Sequence, residues 1–241
     1  MHAVHQVHAA GPDLHVVQLP KPHGHMDAYL ATPRAAAWKS AVIVLDDGPG
    51  ITPRITTFCD ALAREGHAAA AADVLSLRAG EAGLMSAWTQ GVDATLEFLR
   101  EKAPRPPPRF AIVGFGIGGF AALMAGYRCQ LGAAVSFYGE GVMRLCSDLG
   151  NLDRPRPHAA AMLCFLGTDD KTVSAADVAI ARERLAGLRI PHSFVVYPRT
   201  RGNFFFPDGA EYRPEAAADA WGRLLHALDT APRLRFRFRK K

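Results

Sequence analysis

The sequence contains no apolar stretch of about 20 residues, the length that a transmembrane helix requires. Its first residues, MHAVHQVHAAGPDL, lack the basic segment followed by an apolar one that is typical of a secretory signal. It also contains no internal repeat and no interdomain linker. We therefore expect a soluble, cytoplasmic protein with one domain over residues 14–230, preceded by a flexible N-terminus at residues 1–13 and followed by a basic tail at residues 231–241.

Cysteine is scarce, and no two cysteines form a C-x-x-C pair. Zinc sites and disulfide frameworks depend on closer and more regular spacing, and three of the cysteines fall inside apolar helix or strand patterns. We therefore predict buried thiols rather than metal ligands or disulfides. The cysteines are Cys59, Cys129, Cys146 and Cys164.

Several histidines are grouped near the N-terminus, at His2, His5, His8 and His15. Imidazole is a common metal ligand, but these residues lie in a segment without an apolar pattern. We predict a mobile terminus rather than a metal site, and we expect no metal and no cofactor elsewhere in the chain.

The formal net charge of +5 comes from the end of the chain, RLRFRFRKK, because the rest is close to neutral. Basic residues alternate there with Leu234, Phe236 and Phe238, a period of two that is typical of an edge strand with one apolar and one cationic face. The Arg233–Lys241 tail could instead contact a protein or another acidic partner, or be a solvated, partly disordered end. We predict no specific nucleic-acid binding and no membrane span.

Apolar strand patterns alternate with amphipathic helix patterns along the chain, which predicts an α/β fold with a mostly parallel, doubly wound sheet and helices on both faces. The first two strands are separated by a Pro/Gly turn and should form an antiparallel hairpin. The next strands are expected at residues 41–45, 68–74, 110–114, 133–138, 160–166 and 192–197, and helices at residues 52–66, 86–102, 118–129, 174–189 and 213–230. In the fourth of these helices we expect Val178, Ile180, Leu185 and Leu188 to form the apolar side.

The most informative stretch is RFAIVGFGIGGFAALMAGYRC, from Arg109 to Cys129, which passes from a buried strand into a helix across GFGIGG. Strand-to-helix turns of this kind form either a phosphate-binding loop at a helix N-terminus or a nucleophile elbow. The spacing fits an elbow, G-x-[S/C]-x-G-G, with Gly116 where the nucleophile would stand.

Polar residues follow the other predicted strands, and the carboxyl ends of parallel strands meet at one edge of a sheet, where ligands bind. The sequence therefore predicts a site at that edge. The residues concerned are Asp46, Asp47, Tyr138, Asp169, Asp170, Arg199, Arg201 and Asn203.

From Asp27 to about Leu228 the chain resembles the dienelactone hydrolases, which have the α/β-hydrolase fold. The resemblance rests on the order of short motifs: VLDDGPG from residue 44, AREGH from 63, ADV from 72, GFGIGG from 114, AVSFYG from 134, GTDDKTV from 167, VYP from 196, NF from 203, and the Tyr212–Trp221 segment.

The resemblance implies a Cys or Ser nucleophile at residue 116, an acid at Asp170, a His at residue 202 and an acidic partner near Asp47. Only the acids are present, because residues 116 and 202 are both glycine. Without a hydroxyl or thiol no acyl intermediate forms, and without imidazole no base activates a nucleophile. We therefore expect lost hydrolytic activity. Ser136, Cys129, Cys164 and His192 are not placed at the carboxyl ends of strands and offer no replacement.

The remaining groups predict binding of a small metabolite, an anionic one included, or a role as an accessory subunit. The backbone N–H groups of Gly48 and Ile117 would still point into the pocket, and an anion suits a helix N-terminus and arginines. The predicted ligand-binding residues are Gly48, Gly116, Ile117, Tyr138, Arg199, Arg201 and Asn203.

Alternatives remain for several of these residues. The arginines could be solvated, and Asp170 could cap its own loop. Asp47 could act as a general acid or base in an isomerase, a lyase or an atypical hydrolase, with neighbouring Asp46 raising its pKa by like-charge repulsion.

Overall fold

The computed structural model describes residues 13–18, 24–77, 84–104, 109–139 and 159–233. Within these ranges eight strands form one sheet in the order β1-β2-β4-β3-β5-β6-β7-β8. Pairings of β1 with β2 and of β2 with β4 are antiparallel, and all others are parallel. The strands are β1 Asp13–Gln18, β2 His25–Ala31, β3 Ser40–Leu45, β4 Ala68–Ala72, β5 Arg109–Phe115, β6 Ala133–Phe137, β7 Ala161–Gly167 and β8 His192–Tyr197.

Helices cover both faces of the sheet, because the central strands are apolar on both sides. All six residues of β3 and all five alanines of β4 are buried. The second, third and fourth helices pack on one face, and the first and fifth on the other. In the described ranges the helices are α1 Pro53–Arg64, α2 Leu84–Lys102, α3 Gly116–Arg128, α4 Ala175–Gly187 and α5 Pro214–Thr230. The predicted α/β class, the parallel sheet and the opening hairpin are confirmed.

Three local predictions need correction. The strand expected over residues 68–74 ends at Ala72, and Val74–Ser76 form one turn of 3-10 helix. The helix that follows β5 begins at Gly116 and not at Gly118, since the chain turns directly from the extended Phe115 into the helix. Ile180 is 42% exposed, although the sequence placed it on the apolar side of α4. The buried positions are Val178, Ala181 and Leu185, whose spacing of three and four residues keeps them on one side of the helix.

Cys59, Cys129 and Cys164 are buried thiols, as predicted. Cys146, the histidines at residues 2, 5 and 8, and the tail after Arg233 fall outside the described residues, so the predictions for them stay predictions. Among the helices that the structure describes, none has both the length and the apolar character needed to cross a membrane.

Candidate functional site

The carboxyl ends of β3 and β5 lie side by side in the centre of the sheet. Leu45 pairs with Gly114 in the parallel register, so the residues that follow each strand are also neighbours. The loop after β3 contains Asp46, Asp47 and Gly48, and the turn after β5 leads into Gly116. Two of the predicted site segments are thus brought together by one pair of strands.

The carboxylate of Asp47 lies against Gly116. Gly116 has a φ of +50°, a conformation that side chains disfavour. A Cβ atom at residue 116 would stand 1.8 Å from Asp47 Oδ1, well inside van der Waals contact. The same oxygen accepts a hydrogen bond of 3.1 Å from the backbone N–H of Ile117. The carboxylate therefore fills the space that any side chain at residue 116 would need.

The neighbouring Asp46 holds this loop in place. Asp46 is buried, and its carboxylate accepts hydrogen bonds from the backbone N–H of Asp47 at 2.8 Å and from the Thr52 hydroxyl. Arg54 donates to it from Nη2 at 2.7 Å and from Nε at 3.2 Å. Sequence reasoning missed Thr52 and Arg54. The signal was the T-P-R start of a helix directly after the DDGPG loop.

Asp73, the residue after β4, supports the same loop. Its Oδ1 accepts a hydrogen bond of 2.7 Å from the backbone N–H of Gly50. Together with Asp46, this carboxylate fixes the loop at both of its ends. The backbone around Gly48 and Asp47 is therefore pre-organised.

Burial is the main cause of the raised pKa of Asp47. The Ile117 N–H and the Arg54 guanidinium act in the opposite direction and lower this pKa, while Asp46 makes a smaller contribution that raises it. The expected like-charge repulsion from Asp46 does raise the pKa of Asp47, but it is a smaller cause than burial. Asp46 is paired with Arg54, whose positive charge acts against the repulsion between the two carboxylates.

Tyr138 closes the site from the end of β6. Its φ is +40°, its side chain is 3% exposed, and its hydroxyl has no hydrogen-bond partner among the described residues. Burial raises the pKa of Tyr138 well above its usual value, and charges on Arg54, Asp47 and Asp46 act on it. A strained backbone that carries a buried, unpartnered hydroxyl is a typical sign of a functional position.

An aromatic cluster lies beneath these polar groups. The ring of Phe115 is 4.7 Å from that of Phe206, and Tyr138 is 5.5 Å from Phe204. The Arg54 guanidinium lies over the Phe206 ring at 5.2 Å. Sequence reasoning identified Phe204 as part of a motif but missed the apolar wall that the run Phe204–Phe206 provides.

Asp170 and Gly202 are brought together by the loops after β7 and β8. Asp170 Oδ1 accepts hydrogen bonds from the backbone N–H of Thr172 at 2.8 Å and from its hydroxyl at 2.7 Å, so Asp170 does cap its own loop. Its second oxygen, Oδ2, lies 3.4 Å from the position of a Cβ atom at residue 202. That is an ordinary contact distance, which leaves room for a side chain beside this carboxylate.

The predicted polar residues after β8 are exposed. Arg201 approaches Glu211 at 3.8 Å, and Arg199 lines a cleft with Arg213 and Glu215. The charged groups that act on Asp47 are Arg54 and Asp46. Ligand binding by Arg199, Arg201 and Asn203 stays a prediction.

Acidic and aromatic groups thus surround the start of α3, and within the described ranges no group of three His, Cys, Asp or Glu side chains is placed to hold a metal ion. Tyr138 offers a hydroxyl that is unpartnered in the described part of the chain, and Asp47 a carboxylate that can exchange a proton, whereas the Ile117 N–H, predicted to face a ligand, is already hydrogen-bonded to Asp47.

Known proteins are similar to this chain in sequence or in structure. A protein of Synechocystis named "Putative carboxymethylenebutenolidase" is 24% identical over 239 residues, covering 89% of this chain and 96% of its own. A Bradyrhizobium protein named "Probable 2-oxo-3-(5-oxofuran-2-ylidene)propanoate lactonase" is 29% identical over 217 residues. The match covers 82% of this chain and 86% of the relative's length. The solved structure of a "Putative Dienelactone Hydrolase" from Klebsiella pneumoniae superposes with a TM-score of 0.73 at 21% identity, covering 91% of this chain and 99% of its own.

The structural similarity agrees with the eight-stranded sheet. The dienelactone hydrolase family matches residues 26–231, which include every strand from β3 to β8 and all five helices. The chain therefore belongs to the dienelactone hydrolase family.

Proposed function

We propose that this chain is a dienelactone hydrolase family member that has lost ester and lactone hydrolysis and instead binds a small molecule at the carboxyl edge of the sheet. The observation that carries the proposal is the position of the Asp47 carboxylate. It fills the space above Gly116 and accepts a hydrogen bond from the Ile117 N–H. A nucleophilic side chain at residue 116 and the Asp47 carboxylate in this position would occupy the same space.

The proposal assigns Gly116 to the nucleophile position and Gly202 to the histidine position of the family. Support comes from the strand-turn-helix geometry with φ of +50° at Gly116 and from the proximity of residue 202 to Asp170 Oδ2. Glycine at the first position removes the atom that would carry the acyl group. Glycine at the second removes the general base and acid.

The proposed ligand is a small unsaturated lactone or its ring-opened carboxylate, because the Synechocystis and Bradyrhizobium relatives are named for hydrolysing compounds of this kind. The Tyr138 hydroxyl would donate a hydrogen bond to a ligand oxygen. An anionic ligand must share the site with Asp47, so binding strengthens when Asp47 is protonated or absent. The same site would serve an accessory subunit whose role is to hold such a compound.

A direct test combines kinetics with calorimetry. The purified protein should give neither a burst nor turnover with p-nitrophenyl acetate, and should bind a dienelactone or its ring-opened acid. Tyr138→Phe should weaken binding about tenfold, in line with one lost hydrogen bond to a buried partner. Tyr197→Phe is the matched control, because the Tyr197 hydroxyl donates to Asp219 and not to the site. Efficient turnover with a burst would refute lost hydrolysis; unaltered binding by Tyr138→Phe would refute the assigned site.

A second candidate is an enzyme that uses Asp47 as general acid or base in an isomerisation or elimination. The raised pKa of Asp47 and its fixed position on the Ile117 N–H favour it. The test is solvent deuterium exchange into a bound lactone or its acid. Asp47→Asn should abolish exchange, and Asp170→Asn should reduce it only if the second loop also contacts the ligand. Exchange that survives both substitutions would rule this candidate out.

A further inference from the structure

A second groove, lined by none of the residues around Asp47, runs between α5 and the last three strands. Its floor is formed by the amino ends of β6 and β7 together with Val195 of β8. One side of the groove is formed by α5, from Asp219 to Thr230. Its volume is about 710 Å³. Leu163 and Val195 on the floor are only partly buried. This part of the sheet face is therefore incompletely covered, although parallel sheets are normally covered on both faces.

The chain leaves α5 at the mouth of this groove, and its exit is held in place. After Thr230, Ala231 is extended, with φ of −50° and ψ of 138°. The Ala231 carbonyl accepts a hydrogen bond of 2.7 Å from Arg109 Nε. The carbonyl oxygen of Pro232, a lining residue, lies 2.8 Å from the position of a Cβ atom at Gly132, an approach that only glycine allows there. The described part of the chain therefore ends, at Arg233, beside the groove.

We propose that residues 234–241 of the same chain occupy this groove. Their sequence, LRFRFRKK, alternates apolar and basic residues, so an extended segment would direct Leu234, Phe236 and Phe238 to the floor and leave the arginines in water. Eight extended residues reach about 26 Å at about 3.3 Å each, whereas the α5 wall is about 17 Å long at about 1.5 Å per residue. The segment is long enough to follow the groove back along α5. This inference is independent of the proposed function.

Thiol labelling at Gly222 tests the proposal in the full chain. A Cβ atom at this groove-lining residue would meet no atom within 4 Å, so Gly222→Cys fits without displacing its neighbours. Alkylation by iodoacetamide, followed at this peptide by mass spectrometry, should be at least tenfold faster in a chain that ends at Arg233 than in the full chain. Gly187→Cys, equally open at the end of α4, is the matched control and should react at one rate in both chains. Equal rates at residue 222 would overturn the proposal.

Substitutions within the segment separate apolar docking from charge effects. Replacing Leu234, Phe236 and Phe238 together by Ser should expose the thiol at residue 222 as fully as truncation does. The matched triple replacement of Arg235, Arg237 and Arg239 by Ser should leave it protected. The reverse pattern would overturn the proposal. Protection that disappears on dilution would also overturn it, since the segment would then come from a second copy.

Discussion

Asp47 Oδ1 lies 1.8 Å from where a Cβ atom of residue 116 would be, and 3.1 Å from the backbone nitrogen of Ile117. The side-chain space at residue 116 is therefore filled by a residue from a different strand. This contact joins the ends of β3 and β5, and a side chain at residue 116 would have to displace the Asp47 carboxylate.

We expect Gly116→Ala to lower the free energy of unfolding by about 1–3 kcal/mol. The new methyl group must displace the Asp47 carboxylate from the Ile117 N–H, and alanine is strained at a φ of +50°. Because the displaced atoms end a flexible side chain, the protein should still fold. Urea unfolding measures the effect. Gly222→Ala, in an open position of α5, should instead stabilise by up to about 1 kcal/mol. A Gly116→Ala variant as stable as the parent would contradict this account of the contact.

Asp47→Asn should be more stable than the parent at neutral pH, with the difference closing in acid. Burial raises the pKa of Asp47 above its usual value, so the folded state holds this proton more tightly than the unfolded state. The protonated Asp47 therefore contributes its full stabilisation at low pH, and this contribution is lost as the pH rises through the raised pKa. Asparagine stays neutral, and its side-chain oxygen can still accept the hydrogen bond from the Ile117 N–H. Urea unfolding at pH 7 and pH 4 compares the two proteins, and a gap that widens in acid would show the sign to be wrong.

His67 should make the fold sensitive to mild acid. Its imidazole is buried, hydrogen-bonded through Nδ1 to the Ser40 hydroxyl at 2.7 Å, and burial lowers its pKa. As the pH decreases through about 6.5, the unfolded chain binds a proton at His67 that the folded chain does not. The free energy of unfolding therefore decreases as the pH is lowered, by at most about 1.4 kcal/mol per pH unit.

The test compares unfolding curves between pH 7 and pH 5. His67→Asn retains a group at the Nδ1 position but does not titrate, so its stability should vary less over this range. His226→Asn, on an exposed position of α5, is the control and should follow the parent. If His67→Asn loses as much stability as the parent on acidification, the buried imidazole is not responsible.

The proposed loss of hydrolysis predicts that adding a cysteine at residue 116 and a histidine at residue 202 gives some esterase activity. A histidine at residue 202 has room beside Asp170, whereas a cysteine at residue 116 needs the space of Asp47. We expect Gly116→Cys with Gly202→His to give a weak burst of p-nitrophenol from p-nitrophenyl acetate. Adding Asp47→Ala should enlarge it. Absence of a burst from the triple variant, if folded, would mean that the pocket has changed beyond these positions.

Much of the fold was predictable from local patterns. Buried apolar runs such as Ala41–Leu45, alternating with amphipathic helices, require parallel strands with crossover connections, and the structure has this arrangement. The error at Ile180 arose because a short helix with apolar residues on several sides does not reveal which side is buried. Helix limits shifted by one or two residues, since capping contacts set them.

The candidate site was predictable as a place and as a set of residues at strand ends, because parallel strands bring their carboxyl ends to one edge. The sequence by itself determined that residues 116 and 202 are glycine, the fact on which the proposed loss of hydrolysis depends.

Only the tertiary structure decided what stands in that space. Asp47 reaches Gly116 across a gap of 69 residues in sequence because β3 and β5 are neighbours in the sheet, and no local pattern encodes that contact. The pairing of Asp46 with Arg54, and the burial that raises the pKa of Asp47, likewise depend on packing around the loop. Sequence identifies the groups that can act, whereas the distances and dielectric surroundings that set their charge and reach arise only when distant segments pack together.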